Sequence, residues 1–207
     1  QNNGGTAPVA ADYTAAGVTG IGGAGQPTVA QINAALADAD VIGTAADSTA
    51  EVQGIVDAYQ AILANADGTA NNATSPSAAD YTKLGVTGID TAAELGLLGD
   101  VIDGKTAADV ATPAALQALA DAAAATVAYD GTNTAPTQAQ LEALGVTGLT
   151  ADNLAAVLAA IDAANSDGTP IASLADLQGV AATATGGAAA ALTTISAYAQ
   201  NNGGTAP

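Results

Sequence analysis

Apolar residues recur along this chain at steps of three and four inside short blocks, and runs of Gly, Asn, Thr, Pro and Asp separate the blocks. In "TADNLAAVLAAIDAA", which begins at Thr150, the residues Leu154, Val157, Leu158 and Ile161 fall on one face of a helix. "STAEVQGIVDAYQAIL" places Ser48 at an N-cap with Glu51 three residues on, a capping box in which each side chain satisfies the other residue's free backbone N–H. "TPAALQALADAAAATVAY" puts Pro113 at a first helical position, where a missing N–H is harmless. Ser173 heads "SLADLQGVAATATGGAAAALTTISAY", and Gly186-Gly187 is a candidate break or bend within it. "TVAQINAALADA" and the block opened by Asp90 or Thr91, with Glu94 in capping position, complete the set of longer helices. A strand reading fails because alternation never persists over five residues and Ala, which favours helix, is everywhere.

A shorter element precedes each pair of longer ones. "ADYTAAGVTGI" at 11–21 returns as "ADYTKLGVTGI" at 79–89 and, more loosely, as "AQLEALGVTGL" at 139–149. Each reads as about two helical turns ending at Gly17, Gly85 or Gly145, because Gly takes the left-handed conformation without a Cβ penalty and the Val behind it folds back on the last turn. The octapeptide "QNNGGTAP" stands at 1–8 and again at 200–207, which reads as one 199-residue period of a longer tandem array. The fold class expected is all-α, a tandem array of three small three-helix bundles per period. The modules are 1–66, 67–129 and 130–199, with 200–207 the start of the next period. Helices of about 12 to 16 residues are roughly 18 to 24 Å long, so modules stacked end to end would advance an axis by about 60 to 80 Å per period.

Composition narrows the chemistry. The chain has no Cys, Met, Trp, Phe, His or Arg, so thiolate, imidazole and guanidinium chemistry are absent, and with them the usual transition-metal ligands. An enzyme is not expected. Twenty acidic residues against Lys83 and Lys105 give a net charge of −18, which repels nucleic acid and anionic lipid. The longest apolar stretch is read around "DAAAATVAY", well short of the roughly 18 residues that span a bilayer, so no membrane insertion is expected. No charged segment followed by an apolar one opens the chain, so no signal peptide is read there.

Several features carry a chemical reading beside a plainer one. GVTG could be a glycine-rich ligand loop, but the preceding strand and Lys of a phosphate loop are missing, and a structural turn fits. The Asp-Gly-Thr triplets at Asp67, Asp130 and Asp167, with Asn71, Asn72 and Asn133 nearby, offer oxygen ligands of the kind calcium takes, without the spacing of an EF-hand loop. They are weak calcium candidates, and no other cofactor or metal is expected. Tyr13, Tyr59, Tyr81, Tyr129 and Tyr198 are the only aromatics and sit near module starts and ends, where they are expected to form module-seam contacts rather than a sugar-binding platform. Lys83 suits the C-terminal end of its helix and an ion pair with Asp80. Asn72-Ala73-Thr74 fits the glycosylation acceptor pattern.

Taken together, "ADYTAAGVTGI", "ADYTKLGVTGI", "STAEVQGIVDAYQAIL" and "TADNLAAVLAAIDAA" resemble the Ala-, Asp- and Thr-rich tandem repeats of large secreted or surface-anchored bacterial adhesin-like (hemagglutinin-like) proteins. That resemblance covers essentially the whole chain. It implies an extracellular or cell-surface location and a structural role as a repeat segment of an extended stalk or fibre. The partners it implies are neighbouring copies of the same repeat, joined covalently or head to tail. The alternative from the binding class is an adhesive segment that recognises glycan, ice or a partner surface. The short basic complement also suits a filament outside the cell, since trypsin has almost nothing to cut.

Overall fold

A computed structural model of the chain describes residues 5–70, 75–167 and 171–200. Among these residues there are nine α-helices, one 3-10 turn and no strand. The helices are α1 Ala10–Ala15, α2 Val29–Leu36, α3 Thr49–Asn65, α4 Ala78–Lys83, α5 Ala92–Asp103, α6 Pro113–Val127, α7 Gln138–Ala143, α8 Leu154–Ser166 and α9 Leu174–Gln200, with the 3-10 turn at Gly43–Ala45. The all-helical reading holds, and a short helix followed by two longer ones recurs three times. The Asn72-Ala73-Thr74 acceptor pattern lies outside the described residues, as do nearly all of the closing octapeptide and half of the opening one.

Local chemistry accounts for the helix ends. Capping boxes close α2 (Thr28 with Gln31), α3 (Ser48 with Glu51), α4 (Ser77 with Asp80), α5 (Thr91 with Glu94) and α7 (Thr137 with Gln140). In α3 the Ser48 hydroxyl donates to Glu51 Oε2 at 2.7 Å, and hydrogen bonds from Ser48 hold the Glu51 carboxyl below its ordinary range. Pro113 does open α6. The short helices stop as expected. Gly17, Gly85 and Gly145 have φ of 77°, 83° and 100°. The N–H of Val18, Val86 and Val146 reaches back to the carbonyl of Tyr13, Tyr81 and Leu141 at 2.9, 3.0 and 3.0 Å, the six-to-one bond of a Schellman motif.

Two helix readings are corrected. The block expected to start at Thr150 forms a hydrogen-bonded turn first, in which Thr150 N–H donates to Asn153 Oδ1 at 2.8 Å, and α8 begins only at Leu154. Gly186-Gly187 does not interrupt α9, which runs unbroken for 27 residues. Two glycines cost about 1 kcal/mol each relative to Ala, too little to offset a hydrogen-bond ladder supported by Ala on both sides. The unbroken helix also corrects the bilayer estimate: α9 is long and apolar enough to cross a membrane, by length and composition.

The chain divides into two compact units, residues 1–121 and 122–207. In the first unit α3 is the central element and packs against α2, α4 and α5. Its Ile55, Val56, Tyr59 and Ile62 are buried together with Ile32, Tyr81, Leu84, Leu97, Leu98, Ile102 and Leu116. Side chains of this size remove on the order of 1.5 to 3 kcal/mol worth of apolar surface each from water. In the second unit α8 and α9 pack along each other over Val157, Ile161, Leu177 and Ala181, and Leu141, Leu144, Val146 and Ile171 complete the core. The burial on α9 ends at Ala181, and residues 189–200 are exposed throughout.

Candidate functional site

The GVTG stretch is held by a side chain that the sequence reading passed over. Gln53, five residues into the box that opens α3, accepts a hydrogen bond from the N–H of Thr19 at 2.9 Å and donates to the Thr19 carbonyl at 3.2 Å. Gln117 in α6 does the same for Thr87, at 2.9 and 3.1 Å. A primary amide presents the donor and acceptor pair of a peptide edge, so each glutamine acts as a one-residue strand partner for the loop. Both amides are steadied from the carboxylate one turn on, Gln53 by Asp57 at 2.8 Å and Gln117 by Asp121 at 2.6 Å. The third copy is weaker. Gln178 is followed one turn later by Ala182, and its amide reaches only the Gly145 carbonyl, at 3.4 Å. The signal was present in the sequence as "VQG", "LQA" and "LQG" at matching positions, but its partner lies 30 to 34 residues upstream in the first two copies.

This arrangement makes GVTG a structural turn, with Gly20, Gly88 and Gly148 also at positive φ. Gln117→Ala is expected to cost about 1 kcal/mol, the loss of two exposed hydrogen bonds, and to reduce amide-exchange protection at Thr87. Gln178→Ala is expected to change stability by less than about 0.5 kcal/mol. Urea unfolding and amide hydrogen exchange measure both, and equal losses at the two sites would contradict the two-point grip.

The Asp-Gly-Thr triplets at Asp67 and Asp130 are turns closed on themselves. Asp130 Oδ1 accepts from Thr132 N–H at 2.9 Å, Thr132 Oγ1 at 2.8 Å and Asn133 N–H at 3.1 Å, and these donors, Thr132 first, hold its carboxyl below the ordinary range. Asp67 Oδ1 accepts from Thr69 N–H at 2.8 Å. Asp167 is the C-cap of α8, and the rest of its triplet lies outside the described residues. Among the described residues no group of three or more carboxylates converges as a metal site would require. Lys83 pairs with Asp80 at 3.8 Å at the end of α4, and its stem lies along Gly54 of α3.

The five tyrosines separate by depth. Tyr59 is fully buried in the first unit, and its hydroxyl donates to the Val110 carbonyl at 3.0 Å, in the loop between α5 and α6. Six residues further along α3, Asn65 Nδ2 donates to the Gly99 carbonyl of α5 at 3.0 Å. The end of the first repeat's third helix is thus seated on the second repeat. Tyr13 donates to Asn33 Oδ1 of α2, while the buried Tyr81 hydroxyl has no hydrogen-bond partner among the described residues. Tyr81→Phe is therefore expected to leave stability unchanged or raise it by up to about 1 kcal/mol, and Tyr59→Phe to lower it by about 1 kcal/mol. Denaturation midpoints compare the two, and a loss on Tyr81→Phe as large as on Tyr59→Phe would contradict this reading. Tyr129 is half-buried and its carbonyl accepts from Asn165 Nδ2 at 2.9 Å. Tyr198, by contrast, is 43% exposed on the second half of α9.

Two uncharged surfaces stand apart from these satisfied elements. On α9, Leu192, Ile195 and Tyr198 recur at three-residue steps on one face, with Leu192 and Ile195 52% and 56% exposed. In the first unit a groove runs between the entering segment and α2, lined by Pro8, Asn33, Leu36, Val41 and Ile42 among others, none of them charged. No family model matches the chain, and neither curated proteins nor solved structures give a match.

Proposed function

We propose that the chain is a structural repeat segment of an extended extracellular or cell-surface bacterial stalk or fibre. It is built of the three-helix modules 1–66, 67–129 and 130–199, and has neighbouring copies of itself as partners. The observation that carries this reading is the repetition of one structural unit: a short helix ended by the same glycine stop, then two longer helices, the last of which carries a glutamine on the turn. Support also comes from the way α3, closing one module, packs on α4, opening the next. A repeat whose third helix is completed by its neighbour gains stability from stacking, as linear arrays do. The reading assigns no catalytic role, because the carboxylates nearest to a site, at Asp67, Asp80 and Asp130, serve turns and caps.

The extracellular setting rests on the resemblance to secreted and surface-anchored bacterial repeats. Chains carrying two, four and six periods test the architecture by small-angle scattering or electron microscopy. The expected maximum dimension grows in proportion to copy number, by about 60 to 80 Å per period. Growth as the cube root of copy number, the mark of collapse into one globule, would overturn the proposal.

A further inference from the structure

Lys83 and Lys105 are the chain's only targets for proteases that cut after Lys or Arg, and both fall in the second repeat. The cover over each comes from the repeat before. The Lys83 stem runs along Gly54 of α3, its Cε 3.8 Å from where a Cβ on that glycine would stand, and the next residue, Leu84, is fully buried. The carbonyl of Lys105, the one a protease would attack, accepts a hydrogen bond at 2.8 Å from the N–H of Gly68, in the turn that follows α3. Since a protease draws several residues into its cleft as an extended segment, cutting at either site requires the local structure to open first.

At this end α3 is fastened by Asn65, its last residue. The side chain is fully buried, and Nδ2 donates to the Gly99 carbonyl of α5. Ser75 sits at the same glycine, its Oγ 2.9 Å from where a Cβ on Gly99 would stand. The second unit uses the device from the opposite side. Asn165, near the end of α8, donates from Nδ2 to the carbonyls of Thr126 and Tyr129 at the end of α6, both at 2.9 Å, and accepts at Oδ1 from Ile171 N–H at 3.1 Å. Carbonyls at a helix end have no partner within the helix, and a primary amide supplies the donors they lack. In both units the third helix of one repeat is thereby tied to the second helix of the next. In both, the asparagine stands two residues before an Asp-Gly-Thr triplet, in "NADGT" at 65–69 and "NSDGT" at 165–169.

We infer that the asparagine of Asn-x-Asp-Gly-Thr is a lock across the repeat boundary, and that the closing helix it fastens shields Lys83 and Lys105 of the following repeat from lysine-directed proteases. This inference rests on the repeat-on-repeat packing described above and names the bond that secures it. The part that opens as one is then not a sequence repeat: the end of α3 opens together with α4 and α5. The grip of Gln53 on Thr19, exposed and within the first repeat, opens separately.

The test is limited trypsin digestion of the full 207-residue chain, with fragments identified by mass spectrometry. When opening and closing are fast, cleavage follows the population of the open form. Asn65→Ala is expected to raise cleavage at Lys83 and Lys105 at least tenfold and by a common factor, with the circular dichroism spectrum unchanged. Gln53→Ala is expected to leave both rates within twofold of wild type. In the second unit, Asn165→Ala is expected to lower amide-exchange protection at Thr126 and Ile161 at least tenfold without changing the two trypsin rates. Rapid cutting of the wild type, rates that do not respond to Asn65→Ala, or an equal response to Gln53→Ala would overturn the lock. Should Asn65→Ala lose helix, the wild type decides: the amides of Ile62 in α3 and Ile102 in α5 are expected to share one protection factor within threefold, and a tenfold difference overturns the inference. Unmoved trypsin rates in multi-period chains that still lengthen in proportion to copy number refute the lock alone. Chains that collapse while the rates move as expected refute the fibre reading and support the lock.

Discussion

Tyr59→Ala is expected to destabilise the protein by about 3 to 5 kcal/mol, enough to unfold much of the first unit at room temperature if that unit has the 5 to 15 kcal/mol typical of small domains. The side chain is fully buried in the middle of α3, the helix that packs on α2, α4 and α5. Truncation leaves a cavity lined by a core of Leu, Ile and Val and strips the Val110 carbonyl of its donor. The comparison that sharpens the test is Tyr198→Ala, at a tyrosine 43% exposed, where a change below about 0.5 kcal/mol is expected in the isolated chain. Guanidinium unfolding followed by circular dichroism reads both, and a Tyr59→Ala cost near that of Tyr198→Ala would show that α3 is not the organising helix.

The second large effect is alkaline unfolding. Burial pushes the Tyr59 hydroxyl up to about 12, with a smaller opposing pull from the Gln31 side chain, and raises Tyr81 further still. A tyrosine in the unfolded chain loses its proton near pH 10. The folded state therefore binds the proton more tightly, and the associated stability is fully present below pH 10 and is lost as pH rises from 10 through 12. Each pH unit between the unfolded and folded values corresponds to about 1.4 kcal/mol, so Tyr59 alone contributes roughly 2 to 3 kcal/mol, and Tyr81 adds in the same direction. The expected result is one cooperative loss of helix above pH 10, coincident with a jump in tyrosinate absorbance. Tyr59→Phe is expected to move that transition to higher pH relative to its own neutral-pH stability. Gradual ionisation of all tyrosines with the helices intact would show that Tyr59 and Tyr81 are reached by solvent.

Both effects depend on depth, which the sequence reading did not see. It placed all five tyrosines at module seams on position alone, and Tyr59 does meet the following repeat, but Tyr13 donates within its own repeat and Tyr198 faces solvent in the isolated chain. Ala is the reason. A helix such as "DAAAATVAY" is apolar on several faces at once, so periodicity marks the helix without marking the face it buries.

What the sequence determined by itself is local. The stops at Gly17, Gly85 and Gly145, the boxes at Ser48, Ser77 and Thr91, and Pro113 at the head of α6 each involve groups within five residues of one another, and the short chain between them leaves one favourable geometry. The Asp-Gly-Thr turns belong to the same class. The tertiary structure alone decided what spans a longer separation: the grip of Gln53 and Gln117 on turns 34 and 30 residues away, the seat of Tyr59 on Val110, and the difference between α3, enclosed by its neighbours, and the second half of α9, left bare. The closing turns alone do not separate those two helix ends, because both are uncharged. Their states differ because burial is a property of what stands opposite a side chain, and that is fixed by packing between segments distant in the chain.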